Sequence, residues 1–422
     1  MSVGTLSRDT VAVRIAVAVV IALPAVVLRL TGVHPPPVAS MILFGAGVVS
    51  AAVLLLWAAE TARVDMSGAL ALALLALIAV LPEYAVDLYF AYAAGSRPEY
   101  TAYAAANMTG ANRLLVGVGW PLVSLAFVLA VRRRRPGRHR IGRIQPPPQR
   151  RDVRLGERHR VELGFLAIAA LIAFIPTLTG EIGWYVTVLL IAVYVAYMTG
   201  IGRGAAEGVD DLIGVPARLA MLPRLRRRQT TWLGFAFGAL VVVCAAEPFA
   251  NALVDTGTVL GIDRFLLVQW LAPLASEAPE LIVATVFAWR LRDGDAIGIL
   301  LSSKVNQWTL LIGTLPLAYR AGGGAWSLPL DARQIEEVLL TAAQTVLGVA
   351  MLVNLSFLRI EAALLFVLFA VQFAFPGTQI RLVLAGIYLA IGFSLLIARH
   401  RDLGECLRAA VVSPTRGVSP TR

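Results

Sequence analysis

Two proline and glutamate pairs, Pro82 with Glu83 and Pro279 with Glu280, stand inside otherwise apolar segments of this sequence. A proline within a helix removes one backbone hydrogen bond and frees a carbonyl oxygen, and a charged side chain near mid-bilayer costs at least ~2.5 kcal/mol. Carboxylate and carbonyl oxygens are the ligands that hard cations such as Ca²⁺ prefer. The pairs therefore predict a cation site inside a membrane. For either pair alone, a kinked helix with a hydrogen-bonded glutamate is the alternative.

The two pairs belong to an internal repeat of the sequence. Residues 57–68 precede 78–95 in the first copy, and residues 244–257 precede 272–289 in the second. Each copy reads Ala-Ala-Glu, then Val-Asp, then an apolar run that Pro-Glu interrupts. With twelve membrane spans the two copies run in opposite directions, which makes the pattern an inverted-topology repeat with its site near the bilayer midplane.

The composition of the chain is that of a polytopic membrane protein. Of 422 residues, 58% are hydrophobic and 15% are charged, and the mean hydropathy is +0.76. The net charge of +11 comes from arginines that flank apolar segments, so we do not expect nucleic-acid binding. The two cysteines, Cys244 and Cys406, exclude a disulfide framework and make a cysteine metal site improbable.

Apolar segments of about 20 residues predict an all-α fold with about 12 transmembrane helices, within a range of 10–12. The long segment 100–131 is expected to be broken or strongly tilted. The candidate spans are 11–32, 38–59, 67–94, 100–131, 161–178, 183–199, 231–256, 264–290, 296–318, 335–357, 360–376 and 379–398.

The basic segments divide the chain and orient it. The linker at 132–160 contains twelve arginines, two acids and a triple proline, as suits a cytoplasmic surface. With twelve spans both termini then lie in the cytoplasm, and the first helix stays attached. The predicted organisation is an N-terminal half 1–131 with the first repeat at 57–120, the linker, connecting helices and a basic loop at 161–230, a C-terminal half 231–400 with the second repeat at 244–318, and a cytoplasmic tail 401–422.

The repeats resemble the alpha-repeats of the calcium/cation antiporter superfamily, which includes the sodium/calcium exchangers. The family pattern is approximately Gly-Thr-Ser-Leu-Pro-Glu, followed about two dozen residues later by Gly-Asn-x-x-Gly-Ser-Asn-x-x-Asn. The first repeat keeps Leu81, Pro82 and Glu83, and the second keeps Pro279 and Glu280.

The resemblance implies roles for the residues at these motif positions. Family glutamates bind the transported cation, so Glu83 and Glu280 inherit that role. In the second repeat Ser276 stands at the threonine position and Glu277 at the serine position, which makes both of them expected ligands.

The downstream motif of the first repeat is only partly kept. Asn107, Gly110 and Asn112 remain, while Ala111 replaces the serine and Leu115 replaces the last asparagine. In sodium-coupled members those two positions supply sodium ligands, so their loss argues against sodium coupling. Asn112 remains an expected cation ligand.

The downstream motif of the second repeat contains the single lysine of the chain. Gly298 and Ser303 are kept, while Lys304 and Gln307 stand at two asparagine positions. Ser303 and Gln307 are expected ligands by the resemblance. An ammonium at position 304 would take the place of a bound Na⁺, which points to coupling by protons.

The position of Lys304 within its helix also calls for an explanation of its charge. It follows Asp295 by nine residues and so lies about 13 Å into its helix, too deep for easy snorkelling. We expect a carboxylate partner among Glu277, Glu280 and Glu83. A lysine that is permanently paired and only stabilises the fold is the alternative to a coupling role.

Asp87 follows Glu83 by four residues and therefore lies on the same helix face. An additional ligand, a proton-relay group and an acid at the lipid interface are the three interpretations of Asp87.

The predicted function is cation antiport by alternating access in the cell membrane, with Ca²⁺ as the leading substrate and H⁺ or Na⁺ as the counter-ion. Membrane lipids and small inorganic cations are the predicted partners, no resident cofactor is expected, and the oligomeric state is not predicted. An embedded metal-dependent enzyme acting on a lipid is one alternative, although the sequence has no Asp-rich diphosphate motif, paired-histidine spacing or nucleophile elbow. A family member that binds a cation without exchanging it is the other.

Overall fold

The computed structural model describes residues 7–62, 64–65, 81–133, 152–201, 212 and 214–411. The predicted span at 67–94 is therefore described from residue 81 onward. Most of the linker predicted at 132–160 and the end of the tail predicted at 401–422 lie outside the described residues.

The described residues are mainly helical, as the long apolar segments predict. In chain order the helices are α1 (Arg8–Thr31), α2 (Pro37–Ala62), α3 (Leu81–Ala94), α4 (Tyr100–Leu114), α5 (Trp120–Arg133), α6 (His159–Ile172), α7 (Ile175–Thr179), α8 (Trp184–Ile201), α9 (Gly214–Ala220), α10 (Arg224–Leu260), α11 (Arg264–Trp289), α12 (Asp293–Asn306), α13 (Ile312–Ala321), α14 (Ala332–Leu352), α15 (Arg359–Ala374), α16 (Thr378–Ala398) and α17 (His400–Val411).

Short strands accompany the helices. They are β1 (Val153–Arg154), β2 (Glu181–Ile182), β3 (Leu328–Pro329) and β4 (Ser356–Phe357). Strand β1 pairs with β4 in antiparallel register, with Val153 opposite Phe357. This pairing ties the segment before α6 to the segment before α15.

Within the described ranges, eight helices are long and apolar enough to cross a membrane. One of them runs without a break from Tyr100 to Arg133 over 34 residues, where the sequence predicted a long span that is broken or tilted. A shorter apolar helix covers Trp184–Gly200. These helices confirm a polytopic all-α membrane protein.

The continuous helix contains a π-helical turn. Residues Leu115–Gly119 form this turn between α4 and α5, and Gln307–Leu311 form a second one between α12 and α13. The two turns are 192 residues apart, which is also the separation of Asn112 and Lys304. The repeat is therefore visible in backbone geometry, and π-helical turns of this kind occur frequently at functional sites.

Contacts divide the chain into two compact units whose segments alternate along the sequence. The first unit comprises Met1–Met108, Met198–Pro279 and Thr314–Leu328. The second unit comprises Thr109–Tyr197, Glu280–Gly313 and Pro329–Arg422.

Close packing of α1, α2 and α10 forms the core of the first unit. Gly47 lies against Ala25, and Gly238 lies against Leu55, so closely that an added Cβ would collide with the neighbour. Small residues let membrane helices approach each other, which gives van der Waals contact in place of the hydrophobic effect.

Helix α14 forms the centre of the second unit. It begins with a capping box between Asp331 and Gln334. In the most apolar 18 residues of this helix, 83% are buried. Helix α17 packs on α6, where Gly164 meets the backbone of Cys406. The segment predicted as a tail therefore starts as a docked helix.

Candidate cation-binding residues

Helix α3 holds two acids in the interior of the first unit. Pro82 and Glu83 are the second and third residues of the helix as the structure describes it. Glu83 is 3% exposed, and Asp87, one turn later, is fully buried. Both predicted acids are therefore interior groups, and the interpretation of Asp87 as an acid at the lipid interface is excluded by its burial.

Asn107 of α4 approaches the carboxyl group of Asp87. Among the described residues, neither oxygen of Asp87 has a hydrogen-bond partner of good geometry, and the same holds for both amide atoms of Asn107. An ionised carboxylate in such a place costs several kcal/mol. A proton-relay group and an additional ligand therefore stay the two interpretations of Asp87.

Ser276 and Glu277 lie on α11 within the first unit. The Ser276 hydroxyl donates to the carbonyl oxygens of Ala272 and Pro273 at 3.3 and 3.2 Å. This satisfies its proton and leaves oxygen lone pairs for a cation. Glu277 is 2% exposed.

A short polar chain connects three predicted residues in the second unit. The Ser303 hydroxyl lies near the carboxyl group of Glu280. The Gln307 side chain donates from Nε2 to Ser303 Oγ at 3.5 Å, which is a long contact. Ser303 and Gln307 are one helical turn apart, so the spacing predicted from the motif places them on one face.

The ammonium of Lys304 contacts two oxygens of Asn112, a residue of the first repeat. Nζ donates to the backbone oxygen of Asn112 at 3.1 Å and to its Oδ1 at 2.9 Å. The ring of Trp308 lies 4.5 Å from Nζ, at a distance that allows a cation–π interaction. Lys304 is fully buried, so this seat holds the ammonium within the helices.

The structure thus brings together Asn112 with Lys304, and Glu280 with Ser303 and Gln307, all within the second unit. In the first unit it brings Asp87 to Asn107, a residue the sequence reasoning kept in the motif without a role. The predicted meeting of Glu83 with Glu280, and the carboxylate partner of Lys304, stay predictions.

An ion-pair network in the second unit was missed by the sequence analysis. Arg113 pairs with Glu337 at 2.6 Å, and both side chains are 2% exposed. Arg381 pairs with Glu336 at 2.6 Å and approaches Glu337 at 3.6 Å. A signal existed, because charged residues inside apolar spans are rare and mark functional or paired groups.

Proteins of a known family resemble this chain in sequence and in fold. The family model described as sodium/calcium exchanger protein matches residues 36–202 and 230–377. The chain belongs to the sodium/calcium exchanger family. This confirms the resemblance to the calcium/cation antiporter superfamily, and the chain is therefore a membrane cation antiporter of that group.

Solved structures of this family resemble the chain over most of its length. A crystal structure of the H⁺/Ca²⁺ exchanger CAX is 40% identical, with a TM-score of 0.87, and the match covers 95% of this chain and 98% of the exchanger. The Ca²⁺/H⁺ antiporter protein YfkE shares the fold at 14% identity, with a TM-score of 0.57 and coverage of 85% and 99%. The search of the curated proteins found no match.

Proposed function

We propose that this chain exchanges Ca²⁺ for H⁺ across a membrane by alternating access. The observation that carries the proposal is the seat of Lys304 on the two oxygens of Asn112. A tethered ammonium takes up oxygen ligands that a monovalent metal ion would otherwise use, so protons are favoured over Na⁺ as the counter-ion. The identity of 40% with an H⁺/Ca²⁺ exchanger supports the same choice.

Carboxylates supply the ligands for the divalent cation in this proposal. Glu83 and Glu280 each bind Ca²⁺ in this proposal, because each directly follows the proline of a repeat. Glu277, Ser276 and Ser303 contribute further oxygens. Glu277, Ser276 and Ser303 are buried. Because an unpaired carboxylate is costly in this environment, we expect one positively charged ion to replace another at these groups.

Lys304 sets the coupling in this proposal. When the divalent cation arrives at the carboxylates, the ammonium either releases its proton to water or stays on the oxygens of Asn112. Gln307 orients Ser303 toward Glu280. A lysine that only neutralises charge in the fold would leave the ion dependence of transport unchanged when it is replaced.

The cellular setting belongs to the proposal as well. We propose the cell membrane as the location, with both termini in the cytoplasm, because arginines concentrate in the linker 132–160. Transported cations and membrane lipids are the partners, and the chain needs neither a resident cofactor nor an enzymatic step.

Glu280→Gln tests the carboxylate role in proteoliposomes loaded with a proton gradient. Loss of a ligand charge is expected to lower Ca²⁺ uptake by about tenfold or more, which corresponds to about 1.4 kcal/mol of lost binding. Glu247→Gln is the matched control, because Glu247 pairs with Arg29 at 2.6 Å and its side chain is 45% exposed. Equal uptake by Glu280→Gln and wild type would contradict the proposal.

A cation-binding protein without exchange activity is the second candidate. Ala111 and Leu115 replace oxygen-bearing residues of the motif and favour it. Saturable Ca²⁺ binding to the purified protein, combined with no flux under any imposed gradient, would select this candidate.

A further inference from the structure

A buried histidine and carboxylate pair lies in the second unit, outside the residues assigned to the cation. His159 and Glu162 stand one turn apart on α6, and they are 4% and 8% exposed. Nδ1 of His159 contacts Oε2 of Glu162. This pair has no role in the exchange described above, and its burial calls for an explanation.

The pair is bonded to the helix that carries the second repeat. The Ser302 hydroxyl of α12 donates to Oε1 of Glu162 at 2.7 Å. Tyr197 of α8 lies near both Ser302 and Glu162. Three helices therefore meet at one carboxylate, and Ser302 directly precedes the proposed ligand Ser303.

A second contact fixes α12 against the imidazole. Gly298 lies one turn before Ser302, and a Cβ at Gly298 would overlap the His159 ring. This explains in physical terms why a glycine stands at this motif position. The ring packs on Gly298 while Glu162 holds Ser302, so rotation and sliding of α12 are both restrained.

The charged groups around the imidazole make this restraint sensitive to protonation. Nε of Arg158 donates to Nε2 of His159 at 3.4 Å, and the Arg158 guanidinium also binds Asp295 of α12. Neutral His159 can accept from Arg158 while it donates to Glu162. A protonated ring loses the first contact by charge repulsion and strengthens the second. Proton uptake therefore releases Arg158 from the ring and draws Glu162 toward the imidazole, and each of these two residues also bonds a residue of α12.

Other charges near α6 point elsewhere. Arg292 pairs with Asp295 at 2.8 Å, and Asp293 accepts from the backbone N–H of Arg154 at 2.9 Å. Arg160 pairs with Glu405 of α17 at 3.0 Å. These groups anchor the ends of α6 and α12.

We propose that His159 and Glu162 are positioning residues for α12, and that protonation of His159 changes how they hold the helix that carries Ser303 and Lys304. The inference rests on the proposed function for its effect on transport. Imidazole is the side chain that ordinarily changes charge between pH 5 and 8. The apparent affinity for Ca²⁺ should then carry a pH-dependent step that originates at His159, away from the ligands.

His159→Gln tests the transport effect in proteoliposomes made with the full chain. Wild type is expected to change its KM for Ca²⁺ by about fivefold between pH 5.5 and 8.5 through this pair, as for a typical coupling between two sites. The variant should lack that step while its maximal rate stays within about twofold. His400→Gln is the matched control, because His400 is an exposed histidine on α17. An unaltered KM profile in His159→Gln would overturn the proposal.

Hydrogen exchange of residues 298–306 tests the positioning itself without any need for transport. After correction for the intrinsic pH dependence of exchange, protection of this segment should differ between pH 5.5 and 8.5 in wild type and not in His159→Gln. Glu162→Gln keeps an oxygen acceptor for Ser302 and should therefore retain more of the wild-type protection of this segment than Glu162→Leu. Protection in wild type that is independent of pH would overturn the inference, whereas absence of Ca²⁺ flux with the exchange difference present would contradict only the proposed function.

Discussion

The two repeats share a π-helical turn and carry different side chains next to it. In each repeat a π-helical turn starts three residues after the position of Asn112 or Lys304. The first repeat offers oxygens at that position and the second offers an ammonium, and the two side chains contact each other. Under the proposed function, this difference means that the repeat geometry specifies where a positive charge is held, while single residues decide whether that charge is a mobile cation or a tethered ammonium.

The acids of the two repeats are also distributed differently. The first repeat has Glu83 and Asp87 on α3, and the second has Glu277 and Glu280 on α11. Ala284 stands at the position that corresponds to Asp87, and it is fully buried. Only the first repeat therefore carries a second acid on the helix after its Pro-Glu pair.

Replacement of Arg113 is expected to have the largest effect on stability. The corresponding residue of the second repeat is the buried Val305, which needs no partner. Arg113→Gln leaves Glu337 buried beside the more distant Arg381, so unfolding free energy should fall by about 3 kcal/mol. Thermal unfolding in detergent measures this change.

The control for Arg113 combines two comparisons. The double variant Arg113→Leu with Glu337→Leu removes both charges and should recover most of the stability. Arg29→Gln breaks an exposed pair and should cost about 1 kcal/mol or less. Equal destabilisation by Arg113→Gln and Arg29→Gln would contradict a structural role for the buried network.

Asp87→Asn should have a smaller effect, directed at transport. It makes the first repeat resemble the second at this position by removing a buried charge one turn from Glu83. The KM for Ca²⁺ is expected to rise by about tenfold, as loss of one charged ligand or close neighbour would produce. An unchanged KM, as expected for the exposed control Asp255→Asn, would show that Asp87 acts on neither the cation nor its site.

Asp65→Asn should have the smallest effect, and it depends on pH. Hydrogen bonds from Arg227, at 2.8 and 2.6 Å, hold the pKa of Asp65 below its ordinary value. A lowered pKa means that the stabilisation is present above the ordinary pKa and is lost as pH falls through the folded value. The variant should unfold about 1 kcal/mol more easily at pH 7.

The same comparison at low pH checks the sign of this linkage. As pH falls through the lowered pKa of Asp65, the wild-type carboxyl takes up a proton, so the difference between Asp65→Asn and wild type should shrink. Asp255 is the matching acid of the second repeat and is exposed, so Asp255→Asn should be neutral at both pH values. A difference for Asp65→Asn that grows on acidification would contradict the assignment.

The fold was largely predictable because membrane helices require long apolar segments. The long span at 100–131 and the pair 360–376 and 379–398 correspond to helices with ends close to those predicted. The π-helical turns were not predicted, because apolar residues such as those at 115–119 carry no sequence signal for the extra residue in the turn.

The sequence predicted which residues are candidates for the site better than it predicted which residues they contact. Burial of Glu83 and Lys304 agrees with expectation, since each lies in a predicted span, whereas for Asp87 an acid at the lipid interface had also been an open interpretation. The contact of Lys304 with Asn112 was not expected, because reasoning from charge alone favoured a carboxylate. An amide and a freed carbonyl can hold an ammonium as well, and only the three-dimensional arrangement shows that they meet.

The most direct test of tethered-cation coupling is Ca²⁺ flux through Lys304→Asn in proteoliposomes, with Na⁺ and pH gradients imposed one at a time. The variant gives both repeats an asparagine at this position. Wild type is expected to respond to the pH gradient and not to Na⁺, and the variant should gain Na⁺-driven Ca²⁺ flux. Identical ion dependence of the variant and wild type would contradict the account and assign Lys304 to the fold alone.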